Sequence, residues 1–119
     1  MRQRVVPMIH VPGVRATADW YVSIGFRLAR WNEEDGELNW ALLMLGENEV
    51  MLNSGGKPSS AFRRELDLYI HTDEIEQVYK RLKDRVEMVE DMHDTFYGMK
   101  EFIFRDCNLF WLTFGQLMA

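Results

Sequence analysis

The feature that most limits what this chain can become is that it nearly states one plan twice. "VVPMIHV" (residues 5–11) and "LDLYIHT" (66–72) both read as strands and both hold an Ile-His pair, Ile9-His10 and Ile70-His71. Each leads into a short amphipathic segment. Val14, Thr17, Ala18, Tyr21 and Ile24 fall on one face of the first, and Ile75, Val78, Tyr79 and Leu82 recur at i, i+3, i+4 and i+7 in the second, the spacing of a helix with one apolar stripe. Gly25 stands where a left-handed C-terminal cap is needed. Asp73 and Glu76 have the spacing of an N-terminal capping box.

Three extended segments follow each helix. They are "FRLARW", "ELNWALLML" and "EVMLN" in the first half, and "VEMVED", "MKEFIFR" and "LFWLTF" in the second. "EEDG" and "GEN" supply turn chemistry in the first half, and "RDCN" separates the last two strands. Both halves therefore read β-α-β-β-β, with "NSGGKPSS" (53–60) as the break between them. The predicted class is α+β: paired βαβββ modules, about 1–56 and 62–119, in one domain covering 1–119. Each module offers a curved antiparallel sheet with a helix on one face, and the two faces left open would border a concave cleft suited to a ligand. The plain alternative is a sandwich whose inner faces fill one another.

Composition narrows the function classes. The chain has 119 residues, 47% of them hydrophobic and 28% charged, a size and balance that suit one globular domain. Its formal charge of -5 comes without a basic stripe, which argues against a nucleic-acid partner. No segment approaches the roughly 20 apolar residues of a membrane span. The opening "MRQRVVPMIHVPG" lacks the apolar core and cleavage site of a secretory signal, and Cys107 is a single cysteine, so a reducing, cytoplasmic setting is the expectation.

Three stretches, "VPMIHVPGVRATADWYVSIGF", "LDLYIHTDEIEQVYKRL" and "YGMKEFIFRDCNLFWLTFGQ", resemble the glyoxalase / bleomycin resistance protein / extradiol dioxygenase superfamily, also called vicinal oxygen chelate proteins. The last stretch is similar to the bleomycin-resistance branch. Gly13 stands where relatives often carry an acidic residue, and Cys107-Asn108-Leu109 replaces a Pro-Asp-Gly turn. The resemblance implies two βαβββ modules and a homodimer in which modules from both copies build each cleft. Metal-dependent members hold a divalent ion with four inward side chains, and the resemblance puts Val6, Met51, Asp67 and Thr113 at those positions. Valine offers no donor, methionine a weak thioether and threonine a neutral hydroxyl, so one carboxylate is left for a task that takes three or four ligands. The expectation is no metal and no other cofactor.

What remains suits capture of a small molecule. Trp40, Met51, Tyr69, Tyr97, Trp111 and Thr113 are the candidate lining residues, with Asp67 and Glu101 as anionic anchors for a cationic or aromatic ligand. The plain reading of Trp40, Met51 and Trp111 is core packing, and that of Glu101 is a surface ion pair. Trp20 and Tyr21 read as core or dimer contacts, and Trp31 has no assigned role. Strand alternation also places His10 on one face with Val6 and Met8, and His71 on one face with Asp67 and Tyr69. His10, Asp67 and His71 thus form an alternative displaced metal set, which would make the chain a lyase, isomerase or dioxygenase, although histidines more often make structural hydrogen bonds. His93 reads as an exposed loop residue. The leading expectation is a metal-free, antibiotic-sequestering binding protein without catalytic residues; a third reading is a dimer with a filled cleft.

Overall fold

In a computed structural model, residues 2–119 are described, and the chain forms two compact units, Met1–Ser59 and Ser60–Ala119. The first unit runs β1 (Met8–His10), α1 (Val14–Ser23), β2 (Arg27–Glu34), β3 (Glu37–Leu45) and β4 (Asn48–Asn53). The second repeats the order with β5 (Asp67–His71), α2 (Ile75–Leu82), β6 (Glu87–Asp94), β7 (Met99–Arg105) and β8 (Trp111–Leu117). Each holds one four-stranded sheet, β1-β4-β3-β2 and β5-β8-β7-β6. The meander strands pair antiparallel, while the first strand of each unit joins the last in parallel. A helix intervenes between that first strand and the meander, so the chain can return in the same direction beside it.

In the first unit α1 buries Val14, Thr17, Ala18 and Tyr21, while Ala41, Leu43 and Leu52 are buried on the strands. Tyr21 packs edge-on against Phe26 at 5.2 Å between ring centroids, so it is core, as expected. Gly25 takes φ 119, and its N–H donates to the Val22 carbonyl just past the helix; a Cβ would strain that left-handed turn. In the second unit α2 buries Ile75, Val78 and Leu82, and the stacked rings of Phe102, Phe104 and Phe114 form the core of its sheet. Tyr79 from α2 meets Phe102 edge-on at 5.3 Å.

Several local expectations need correction. Asp73 does not cap α2. The Glu74 N–H donates to Thr72 Oγ1 at 3.0 Å and the Ile75 N–H to Gln116 Oε1 at 2.9 Å, so a β8 side chain supplies an acceptor that the local box pattern suggested would come from Asp73. β1 is shorter than "VVPMIHV", and Val6 lies ahead of it; the residue opposite Met51 is Met8. β6 runs on through "MHD", so His93 is a half-buried strand residue opposite Glu101 rather than part of an exposed loop. The turn between β7 and β8 forms without its glycine. Asp106 Oδ1 accepts the N–H groups of Asn108 and Phe110 at 2.7 and 2.9 Å, and Leu109 is held at φ 70.

Strand register makes the repeat concrete. His10 pairs with Asn53, which pairs with Trp40; His71 pairs with Gly115, which pairs with Glu101. One step along each sheet, Met8 lies beside Met51 and Tyr69 beside Thr113. The helix-covered faces carry the intervening residues, Ile9, Leu52 and Ala41 in one unit and Ile70, Phe114 and Phe102 in the other.

Candidate functional site

The helix-free face of the second sheet gathers most of the predicted residues. Asp67, Tyr69 and His71 on β5, Trp111, Thr113 and Gly115 on β8, and Glu101, Ile103 and Arg105 on β7 share it by register. Two clusters form there.

The first is built around Glu101. Glu101 is 3% exposed. Tyr69 Oη donates to Oε2 at 2.5 Å, and Tyr97 Oη lies 2.8 and 2.7 Å from Oε1 and Oε2. Tyr69 starts on the edge strand β5 and reaches Glu101 two strands away, across β8. It crosses at Gly115, where an added Cβ would sit 2.0 Å from the tyrosine hydroxyl oxygen and 2.6 Å from Cζ. Any side chain at 115 would block the path, which is why a strand interior here carries a glycine. The Tyr69 ring also lies 4.9 Å from that of His71. Burial, followed by the bond to Glu101, pushes the Tyr69 hydroxyl pKa well above the ordinary phenol value; the Tyr97 hydroxyl is raised chiefly by its own bond to the same carboxylate. Both phenols thus stay neutral donors.

Glu101 is therefore not the surface ion-pair residue of the plain reading. Among the described residues it makes no ion pair with lysine or arginine. Two neutral hydroxyls solvate a buried anion.

The second cluster surrounds Trp111 and uses residues that sequence reasoning passed over. The segment following the break between units lays Phe62 edge-on against the Trp111 ring at 5.6 Å and the Arg63 guanidinium over it at 4.4 Å. Trp111 Nε1 donates to the Phe62 carbonyl at 3.2 Å. Arg63 also bonds the Asp67 carboxylate, so Asp67 is engaged by a protein cation. Arg105 lies over the other ring of the pair, 4.6 Å from the Phe62 centroid. No periodicity marks residues 60–65, and only the "FRR" composition hinted at a cation over an aromatic surface.

The other predicted residues divide as follows. Thr113 is buried between Tyr69 and Ile103 in the register. Trp40 and Met51 belong to the helix-free face of the first sheet and are half-buried. His10, also in the first unit, places Nδ1 3.3 Å from the Ser54 carbonyl. A groove of about 620 Å³ in that unit lies elsewhere, walled by residues 12–16 and 34–39 and by Ser54; none of the predicted residues lines it.

The donor chemistry does not fit a resident metal. Met8, which replaces Val6 opposite Met51, adds a second thioether, Thr113 is neutral, and Asp67 is occupied by Arg63. Among the described residues no group of three or more His, Cys, Asp or Glu side chains is placed to hold an ion. Nor is any helix among them long and apolar enough to cross a membrane.

Residues 4–114 match the family described as Glyoxalase/Bleomycin resistance protein/Dioxygenase superfamily. No curated protein sequence matches the chain. Among solved structures, a glyoxalase-related enzyme from Clostridium phytofermentans superposes with a TM-score of 0.80 at 14% identity, covering 99% of this chain and 97% of that one. A bleomycin-binding protein complexed with bleomycin gives 0.74 at 13%, covering 97% and 98%. TnmS3, an antibiotic binding protein from Streptomyces sp. CB03234, gives 0.69 at 22%, covering 98% of each chain. At these identities the likeness carries the fold, which hosts both binders and enzymes.

Proposed function

Because the chain belongs to the Glyoxalase/Bleomycin resistance protein/Dioxygenase superfamily, we propose that it is a metal-free small-molecule binding protein that sequesters a cationic or aromatic ligand. The observation that carries this reading is the buried Glu101 carboxylate, which two tyrosines solvate and which, among the described residues, no lysine or arginine pairs with. Coulombic attraction to a cation is stronger at a buried carboxylate than at an exposed one, because the surrounding dielectric is low. Trp111, with Tyr69 and Tyr97, adds ring surface for the apolar part of such a ligand, where stacking adds about 0.5–1.5 kcal/mol beyond area burial. Asp67 and Thr113 border this surface, and Trp40 and Met51, on the helix-free face of the first sheet, are assigned to ligand binding as part of this reading. The printed descriptions of two neighbours, a bleomycin-binding protein and an antibiotic binding protein, support capture as the outcome. The working form is a homodimer in the cytoplasm, with the ligand held in a cleft to which both copies contribute.

Tryptophan fluorescence tests the proposal. Titration with a panel of bleomycin-type glycopeptides is expected to quench emission with two ligands per dimer, the dimer being established by analytical ultracentrifugation. Flat titrations across the panel remove these ligands, and a monomer at working concentration removes the shared cleft. An enzymatic reading, a metal-dependent lyase, isomerase or dioxygenase, draws on the glyoxalase-related neighbour. Stoichiometric Zn, Ni, Mn or Fe in protein purified without chelator, lost in His10→Ala and His71→Ala, would establish it in place of capture.

A further inference from the structure

The Glu101 cluster takes one donor from a strand and one from a turn. Tyr69 is anchored on β5 and threads over Gly115 in a path with no room to spare. Tyr97 instead sits in the short turn 95–98 between β6 and β7, is 53% exposed, and follows Phe96, which is 99% exposed. Glu101 is only 3% exposed, and the Tyr97 hydroxyl lies against both of its carboxylate oxygens. The two rings are about equally exposed, 43% for Tyr69 and 53% for Tyr97, but the backbone at Gly115 confines Tyr69 along its length, whereas Tyr97 projects from a turn whose main chain is closed by Thr95 and Met99, so its ring can swing out by side-chain rotation alone.

We propose that Tyr97 is a gate over Glu101, and that the group which displaces it is a protonated amine of the ligand, taking the tyrosine's place on the carboxylate. This deepens the capture reading and rests on it. An ammonium brings three donors and a full charge to a site holding an uncompensated anion, so it outcompetes a neutral phenol there. A neutral hydroxyl brings no such advantage and leaves the gate shut. Tyr69 remains bound to Oε2 and keeps the carboxylate in place while the partner changes. The released Tyr97 ring then lies beside the incoming cation, where its face adds attraction.

The test uses phenethylammonium and its neutral counterpart phenethyl alcohol, followed by NMR of ring-labelled tyrosines in the full chain. The ammonium is expected to shift the Tyr97 ring signals and the alcohol to leave them unchanged. Tyr97→Phe removes the competing hydroxyl and is expected to bind the ammonium about tenfold more tightly, the equivalent of one hydrogen bond to a charged acceptor. Glu101→Gln is expected to lose the preference for ammonium over alcohol, with thermal melts confirming that it is folded. Unchanged or weaker ammonium binding by Tyr97→Phe overturns the gate, and so does equal binding of the two probes by wild-type protein. The gate and the capture reading fail separately. A glycopeptide that binds wild type and Glu101→Gln alike removes the ammonium site and leaves capture standing, whereas ammonium-specific shifts without any glycopeptide response support the site and remove that ligand class.

Discussion

Gly115→Ala isolates the contact on which the Glu101 cluster depends. The added methyl would meet Tyr69 at 2.0 Å from Oη, 2.6 Å from Cζ and 2.9 Å from Cε1, well inside contact distance, so the ring must leave its path. Glu101, 3% exposed, then loses its 2.5 Å hydrogen bond from Tyr69. Removing one partner from a buried charged acceptor costs about 1.5–3 kcal/mol. The backbone at 115 is not in the left-handed region, so alanine also brings a gain of about 0.4–1 kcal/mol through the unfolded chain. The net expectation is a loss of about 1–2 kcal/mol in urea unfolding, without change in the denaturant slope. The sign should then reverse in a Tyr69→Ala background. With no ring to collide with, Gly115→Ala keeps only its backbone gain and stabilises by about 0.5 kcal/mol. A Gly115→Ala penalty of equal size in both backgrounds would refute the argument, since the collision would then lie with something other than Tyr69.

High pH should weaken the fold through the same cluster. Tyr69 and Tyr97 have pKa values raised in the folded state, so the folded chain holds protons that the unfolded chain gives up above about pH 10. Their contribution is full below that point and is lost as pH rises toward the folded values; urea midpoints measured across the alkaline range should fall, and fall less steeply in Tyr69→Phe. Gln116→Ala removes the acceptor of the Ile75 N–H and is expected to cost about 1 kcal/mol, the usual value of a helix cap, whereas Asp73→Ala should be nearly neutral by the same thermal melts.

Much of the architecture was readable because its signals are local. Ile75, Val78 and Leu82 share a helical face in sequence and are buried together in α2; alternation in "LFWLTF" separates Leu112 and Phe114 from Trp111 and Thr113 in the structure. The paired Ile-His strands announced the duplication, and both occupy the same node of their sheets. The misreadings arose where distant residues intervene. Asp73 and Glu76 satisfied a local capping pattern, but Gln116, 41 positions away in the chain, holds the amide. Tyr69, Tyr97 and Glu101 each read as pocket residues in the sequence, yet their union depends on β8 lying between β5 and β7 and on Gly115 opening the way. An isolated glycine inside "LTFGQ" was the available signal of a close approach. Phe62 and Arg63 left no comparable trace, because an irregular segment has no periodicity from which to infer its neighbours.

The matched nodes of the two sheets have a practical corollary for protein engineering. Met8, Asn53 and Trp40 hold in the first ladder the places that Tyr69, Gly115 and Glu101 hold in the second. Three replacements, Met8→Tyr, Asn53→Gly and Trp40→Glu, would therefore write the tyrosine-carboxylate bridge into the other repeat while leaving every main-chain rung intact. One scaffold could then display two copies of the same polar device, or have them exchanged between repeats.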